Sequence, residues 1–247
     1  MINACRYGIP IVVVLLASAA APQAGRGEQL PGLRGGITLG KALFLSDGHV
    51  LNAADQACAL KDQTTPTAPD GGLHATRLAR LTEGLEAEDG LRLSFKAYML
   101  DEVNAWAMAN GCVRVYSGVL DIVSDEELLS VIGHEIGHVK LGHTKAKMRT
   151  ALLARGVRES ATGAGVGVIA AGELGGLAES VVNAQFSQKE ERAADDYGYL
   201  FLLKHSHAPS AMVSMFRKLP GKRSGLLASH PDPESRAKRI EDRLKKR

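Results

Sequence analysis

His134-Glu135-Ile136-Gly137-His138 sets two imidazoles and a carboxylate at helical spacing. Four residues advance an α-helix by about 400°, so His134 and His138 project from one face and can grip one metal ion. Glu135 lies roughly 100° further round, close enough to act on a metal-bound water without being a ligand. This arrangement fits zinc-assisted hydrolysis, which needs a third protein ligand and an open place for water. The plain alternative is a buried helix with two satisfied core histidines.

His143 is the nearest further imidazole, but it lies about half a turn away from His134 in angle. The stretch also misses the pattern H-E-x-x-H-x-x-G-x-x-H, because Leu141 stands where its Gly belongs and Thr144 where its third His belongs. His143 therefore reads as a helix C-terminal residue after Gly142, where the dipole favours it. A better ligand lies in Ser187-Gln188-Lys189-Glu190-Glu191-Arg192-Ala193-Ala194-Asp195-Asp196-Tyr197-Gly198. On a helix Glu191 and Asp195 share a face, so one carboxylate can bind metal while the other orients a ligating imidazole. A solvated charge run is the alternative.

Helices must position these groups. Ser124-Asp125-Glu126-Glu127 fits a capping box, with acidic residues at the positive end of the dipole. Leu128, Leu129, Val131, Ile132, Ile136, Val139 and Leu141 then give an apolar surface of helical period. Gly133 and Gly137 cost about 1 kcal/mol each in a helix interior, so another backbone or a substrate is expected to come close there. Upstream, a helical region is expected over Ile37–Gln63, a Thr/Pro/Gly-rich break over Thr64–Gly72, a helix over Leu73–Leu85, and a strand with its turn over Leu91–Val103. Asn104–Met108 and Val113–Tyr116, separated by Asn110-Gly111, read as a hairpin or bulged edge. An exposed edge takes an extended peptide through backbone hydrogen bonds; the alternative is a core strand pair with Trp106 simply packed. The Gly- and Ala-rich stretch Thr162–Gly176, interrupted by Glu173, reads as mobile or tightly packed rather than as a membrane span. The last helix, Glu234–Arg247, carries Ala237, Ile240 and Leu244 on one stripe.

Asn104-Ala105-Trp106-Ala107-Met108, Val113-Arg114-Val115-Tyr116-Ser117-Gly118, the H-E-x-x-H helix and the S-x-x-x-E-x-x-x-D segment together resemble the HtpX/LoiP/BepA-type zinc metallopeptidases. The likeness runs from about residue 75 to the C-terminus and is nearest to the LoiP-like branch. It implies an α+β, predominantly helical, zincin-like domain with a small β-sheet whose edge strand, Asn104-Ala105-Trp106-Ala107, lines the active-site cleft. It also implies one Zn2+ per chain held by His134, His138 and Glu191, with Asp195 supporting a metal-binding His, first of all His134. Glu135 is then the general base. Ser229-His230-Pro231-Asp232-Pro233-Glu234-Ser235-Arg236 matches a further family segment, which places His230 and Arg236 at the cleft. Either could stabilise the oxyanion, or His230 could instead cap the zinc at rest; a loop His and a helix-opening Arg are the plain alternatives. His49, His74, His205 and His207 match nothing and are assigned surface or loop roles.

The implied activity is a zinc endopeptidase acting on unfolded or misfolded proteins in the cell envelope. Two alternatives stay open. One is a chaperone-like envelope assembly factor with a capped zinc. The other is a peptide deformylase-type amidase with Cys112 as ligand, although the E-x-x-x-D segment then has no purpose.

Arg6, the apolar run Ile9–Ala17 and Ser18-Ala19-Ala20-Ala21 make residues 1–24 a signal peptide and the start of a linker, leaving residues 25–247 as the enzyme domain. The run is short for a span of about 20 residues, and an uncleaved anchor is the alternative. Cys5 precedes the apolar run, so lipid anchoring is not supported. Removal of the segment leaves Cys58 and Cys112, and an even count in an exported, periplasmic chain points to a disulfide stiffening the cleft rim. Two free thiols are the alternative. At 45% hydrophobic and 4% aromatic residues, aliphatic helix packing should dominate. A net charge of +3 is mild and argues neither for nor against nucleic acid; the resemblance makes unfolded substrates and envelope proteins the expected partners, and nucleic acid is not expected.

Overall fold

Residues 45–162, 171–183, 185–219 and 225–246 are described by the computed structural model. The expected export segment and linker lie outside them, as do residues 37–44 of the first expected helix and 163–170 of the Gly/Ala-rich stretch.

Ser124 opens the central helix. Its Oγ accepts from Glu127 N, and Glu127 Oε2 accepts from Ser124 N at 2.7 Å, closing the expected capping box. The helix, α4, then runs Asp125–Lys140 and is buried over nearly its whole length. Before it come α1 (Asp47–Thr64), α2 (Leu73–Thr82), a 3-10 turn (Glu88–Gly90), β1 (Ser94–Tyr98), β2 (Ala105–Ala107), β3 (Cys112–Tyr116) and α3 (Ser117–Ile122). After it come α5 (His143–Thr162), α6 (Ala171–Val182), α7 (Gln188–Lys204), α8 (Ser210–Lys218), α9 (Leu226–Ser229) and α10 (Pro233–Leu244). The architecture is α+β and predominantly helical.

The sheet order is β1-β3-β2, with β1 parallel and β2 antiparallel to β3. Side chains alternate between its faces, as pleating requires. Ala97, Ala105, Ala107, Val113 and Val115 join the main core with Val131, Ile132 and Ile136 of α4. Tyr98, Trp106, Cys112 and Tyr116 join a second core with α1 and α6. Trp106 is therefore packed on the face away from α4, its Nε1 donating to Tyr116 Oη at 3.3 Å. Cys58 of α1 is disulfide-bonded to Cys112 in this second core, as the cysteine count led one to expect.

Two expectations need correction. The hairpin forms, but its outer strand is not exposed: Asn104, Ala105, Trp106 and Ala107 are all buried. Just before it, Leu226 N donates to Val103 O at 2.9 Å, so distant chain crosses at the start of the strand. His143 does not end α4. Gly142, at φ 76°, turns the chain, and His143 opens α5. Residues 171–176 of the Gly/Ala-rich stretch open α6, where Leu174 is buried, and the residues that follow the stretch, Leu177, Ala178, Val181 and Val182, pack in the second core. Among the described residues no helix is long and apolar enough to cross a membrane.

Candidate metal centre

Two glycines let the ligand-bearing helices meet. A Cβ on Gly133 would lie 2.5 Å from Phe201 Cδ1, and one on Gly137 3.1 Å from both Ala194 O and Tyr197 Cβ. The backbone expected to approach α4 is thus that of α7. Its first turn is set by a second capping box: Ser187 Oγ accepts from Glu190 N, and Glu190 Oε2 accepts from Ser187 N at 2.8 Å. Glu190 is occupied there on the exposed side, and Glu191 is the carboxylate that faces α4. The S-x-x-E spacing was the signal in the sequence that separates the two.

His134, His138, Glu191 and His230 each present a ligand atom within 4.8 Å of the others, all four buried. His134 Nε2 is 3.0 Å from His138 Nε2 and 3.2 Å from His230 Nδ1. Glu191 Oε1 is 2.8 Å from His230 Nδ1 and 3.5 Å from His138 Nε2, and Glu191 Oε2 is 3.5 Å from His134 Nε2. Tetrahedral zinc with bonds of about 2.0–2.1 Å needs ligand atoms about 3.3 Å apart, so the donor set fits that ion. Burial holds the His138 imidazole well below its usual pKa, and burial with Arg236 lowers that of His134. Both are thereby kept neutral, the form that binds metal. Burial alone would raise the Glu191 carboxyl, but His230, His138 and Arg236 outweigh it and keep the group ionised.

The remaining predicted residues surround this cluster. Asp195 Oδ1 lies 3.1 Å from His134 Nδ1, on the side away from the other ligand atoms. Arg236 donates from Nη2 to Asp195 Oδ1 at 2.6 Å and from Nε to Asp195 Oδ2 at 3.0 Å, while its Nη1 lies 2.8 Å from Glu191 Oε2. One guanidinium thus ties both carboxylates of α7 together, which is the planar fork geometry that Arg supplies and Lys does not. Glu135 is 1% exposed, and its Oε1 has no hydrogen-bond partner and sits 3.5 Å from His230 Nε2. Burial pushes its carboxyl up to about 7 against the pull of His230. A small apolar recess borders the site, lined by Val131, Met215, Phe216, Leu219 and Leu226.

Sequence reasoning missed two neighbours. Phe186 stacks on His138, with centroids 3.7 Å apart and planes at 29°, and no motif marks it. His143 places Nδ1 3.0 Å from His138 Nδ1; the turn at Gly142 was the available signal. Cys112 belongs to the second core and is bonded to Cys58, so it is not a ligand and the deformylase alternative falls.

Comparison with known proteins agrees with this geometry. Residues 73–244 match the family model described as Peptidase family M48. The chain is 42% identical over 219 residues to "Metalloprotease LoiP" of Escherichia coli, covering 86% of this chain and 87% of that protein. It is 37% identical over 216 residues to "Metalloprotease YcaL" of the same organism, covering 85% of each. It is also 30% identical over 165 residues to a "Beta-barrel assembly-enhancing protease" of Yersinia pestis, covering 60% of this chain and 34% of that protein. With two histidines and a glutamate gathered on an H-E-x-x-H helix and its partner, and with these relatives, the chain belongs to peptidase family M48, the zinc-dependent metalloendopeptidases.

Proposed function

We propose that this peptidase cleaves unfolded or misfolded proteins in the cell envelope, with zinc on His134, His138 and Glu191 and with Glu135 as the base. The observation that carries the reading is the buried cluster of those ligands beside a protonatable Glu135. Zinc held by His134, His138 and Glu191 would supply Lewis acidity to the scissile carbonyl and would acidify a water in the site. Glu135 would take a proton from the attacking water and deliver it to the leaving amine, a task suited to a carboxyl poised near neutrality. Asp195 orients His134, and Arg236 holds Asp195 and Glu191 in register. Either Arg236 or His230 can add positive charge beside the developing oxyanion.

The backbone of β2 supports this substrate class. Asn104 O accepts from Tyr116 N and Met108 N donates to Cys112 O, so in antiparallel register the Ala105 and Ala107 backbone groups point away from β3. An extended peptide can pair there once these buried groups are uncovered, and only unfolded chain supplies such a strand. The relative named as a β-barrel assembly-enhancing protease, together with the signal-like residues 1–24, supports an envelope setting. The test compares cleavage of one protein in native and in reduced, carboxymethylated form. The unfolded form should be cut with much the higher kcat/KM; equal rates on both would remove the substrate assignment.

His230 supports a second reading. It completes four protein donors, the number of a closed structural zinc site. A chaperone-like assembly factor with a capped zinc would be built this way. Full rescue of a null strain by Glu135→Gln would favour it over the peptidase.

A further inference from the structure

His138 turns its two ring nitrogens to different tasks. Nε2 faces the donor cluster, and Nδ1 lies 3.0 Å from His143 Nδ1. A neutral ligating imidazole carries its one proton on the nitrogen away from the metal, and the group accepting that proton fixes the tautomer and the ring plane. For His134 that group is Asp195. We propose that His143 does the same for His138: it is a positioning residue whose unprotonated Nδ1 accepts the His138 Nδ1–H. This rests on the zinc assignment above.

The placement is built into the chain. Gly142, at φ 76°, reverses direction between α4 and α5, so the first residue of α5 returns beside the last turn of α4. The two rings stand 5.1 Å apart, the centroid separation of two imidazoles meeting edge to edge through their Nδ1 atoms. One turn further along α5, Lys147 lies 3.9 Å over the Phe186 ring, and Phe186 stacks on the His138 face. The opening of α5 therefore holds His138 by its edge through His143 and supports its face through Phe186. His143 is outside the ligand set, since its Nδ1 faces His138 rather than the cluster.

The test uses the purified zinc-loaded protein in competition with a chelator. His143→Phe keeps a ring but has no acceptor, whereas His143→Asn places an amide oxygen near the position of Nδ1. His143→Phe should weaken zinc binding about 10–100-fold, the usual effect of losing such a partner. Its metal-free form should unfold at the same denaturant concentration as wild type, and His143→Asn should recover most of the affinity. In protein labelled with 15N-histidine, the zinc-loaded wild type and His143→Asn should show a protected His138 Nδ1–H resonance that His143→Phe lacks. Wild-type zinc affinity in His143→Phe, or equal losses in both variants, would overturn the proposal. If His143→Phe does not fold, the wild-type resonance decides: its presence supports the role and its absence overturns it. A His138→Ala variant run alongside separates the two levels. Zinc held as tightly without His138 overturns the metal assignment and this role with it. Zinc lost with His138 but kept in His143→Phe overturns this role alone.

Discussion

Glu190 and Glu191 are adjacent carboxylates with opposite duties. Glu190 closes the cap of α7 with Ser187, while Glu191 is 3% exposed among three imidazoles and Arg236. Glu191→Ala should therefore abolish stoichiometric zinc, measured by metal analysis after dialysis. Glu190→Ala should keep the metal and lose about 1 kcal/mol or less of stability. The reverse pattern would reassign the ligand. Helical spacing in the sequence put His134 and His138 on one face, Glu135 beside them, and Glu191 and Asp195 together, while only the family resemblance assigned Glu191 as the ligand and Asp195 as the support of a metal-binding His. Arg236 was legible as a site residue, but its grip on two carboxylates was not, because that depends on how α10 crosses α7. Phe186 was invisible, since stacking on a ligand leaves no spacing to read. His143 was misread because a Gly after a helix marks an end without saying where the chain goes next.

Between elements, the α4–α7 contact governs how the ligands converge. Gly133 admits Phe201, and Gly137 admits the Ala194 carbonyl and the Tyr197 side chain. Gly133→Ala gains helix propensity but drives a methyl into an aromatic ring, and overpacking of this kind costs about 1–3 kcal/mol. The variant should unfold at lower denaturant concentration and bind zinc more weakly, because α7 carries Glu191 away as it shifts. Unchanged stability and affinity would show that the contact is slack. The two glycines announced a close neighbour in the sequence, but the partner could only be identified in three dimensions. The same limit explains the buried β2: alternation and Asn110-Gly111 reveal a hairpin, while Leu226, which bonds Val103 just before it, comes from more than a hundred residues away.

Across the molecule, the sheet divides two cores, and the one remote from the metal has its own anchor. Asp62 of α1 accepts from Arg114 Nε at 2.8 Å, Lys96 Nζ at 2.7 Å and Tyr98 Oη at 2.8 Å, beside the Cys58–Cys112 disulfide. Burial would raise its carboxyl, but Arg114, Lys96 and Tyr98 bring it down from 3.8 to about 2. A folded pKa below the unfolded one stabilises the protein above the unfolded value and ceases to do so as pH falls through the folded value. The Asp62 contribution, about 1–2 kcal/mol after solvent screening, should therefore be full at neutral pH and disappear between about pH 4 and pH 2. Asp62→Asn should destabilise the neutral protein and flatten that part of the acid limb in denaturant titrations; an unchanged limb would contradict it. Composition anticipated an aliphatic, helical domain, and the cysteine count anticipated the disulfide. It was placed at the cleft rim, yet it lies in the second core, because strand alternation turns Cys112 away from α4.

The most direct test is hydrolysis of casein by the purified protein and by Glu135→Gln, with zinc content determined on the same samples. The account predicts about one zinc in each, cleavage by the wild type that a chelator abolishes, and a loss of about 10²–10⁴-fold in the variant. Cleavage by Glu135→Gln at the wild-type rate, with zinc bound, would contradict it.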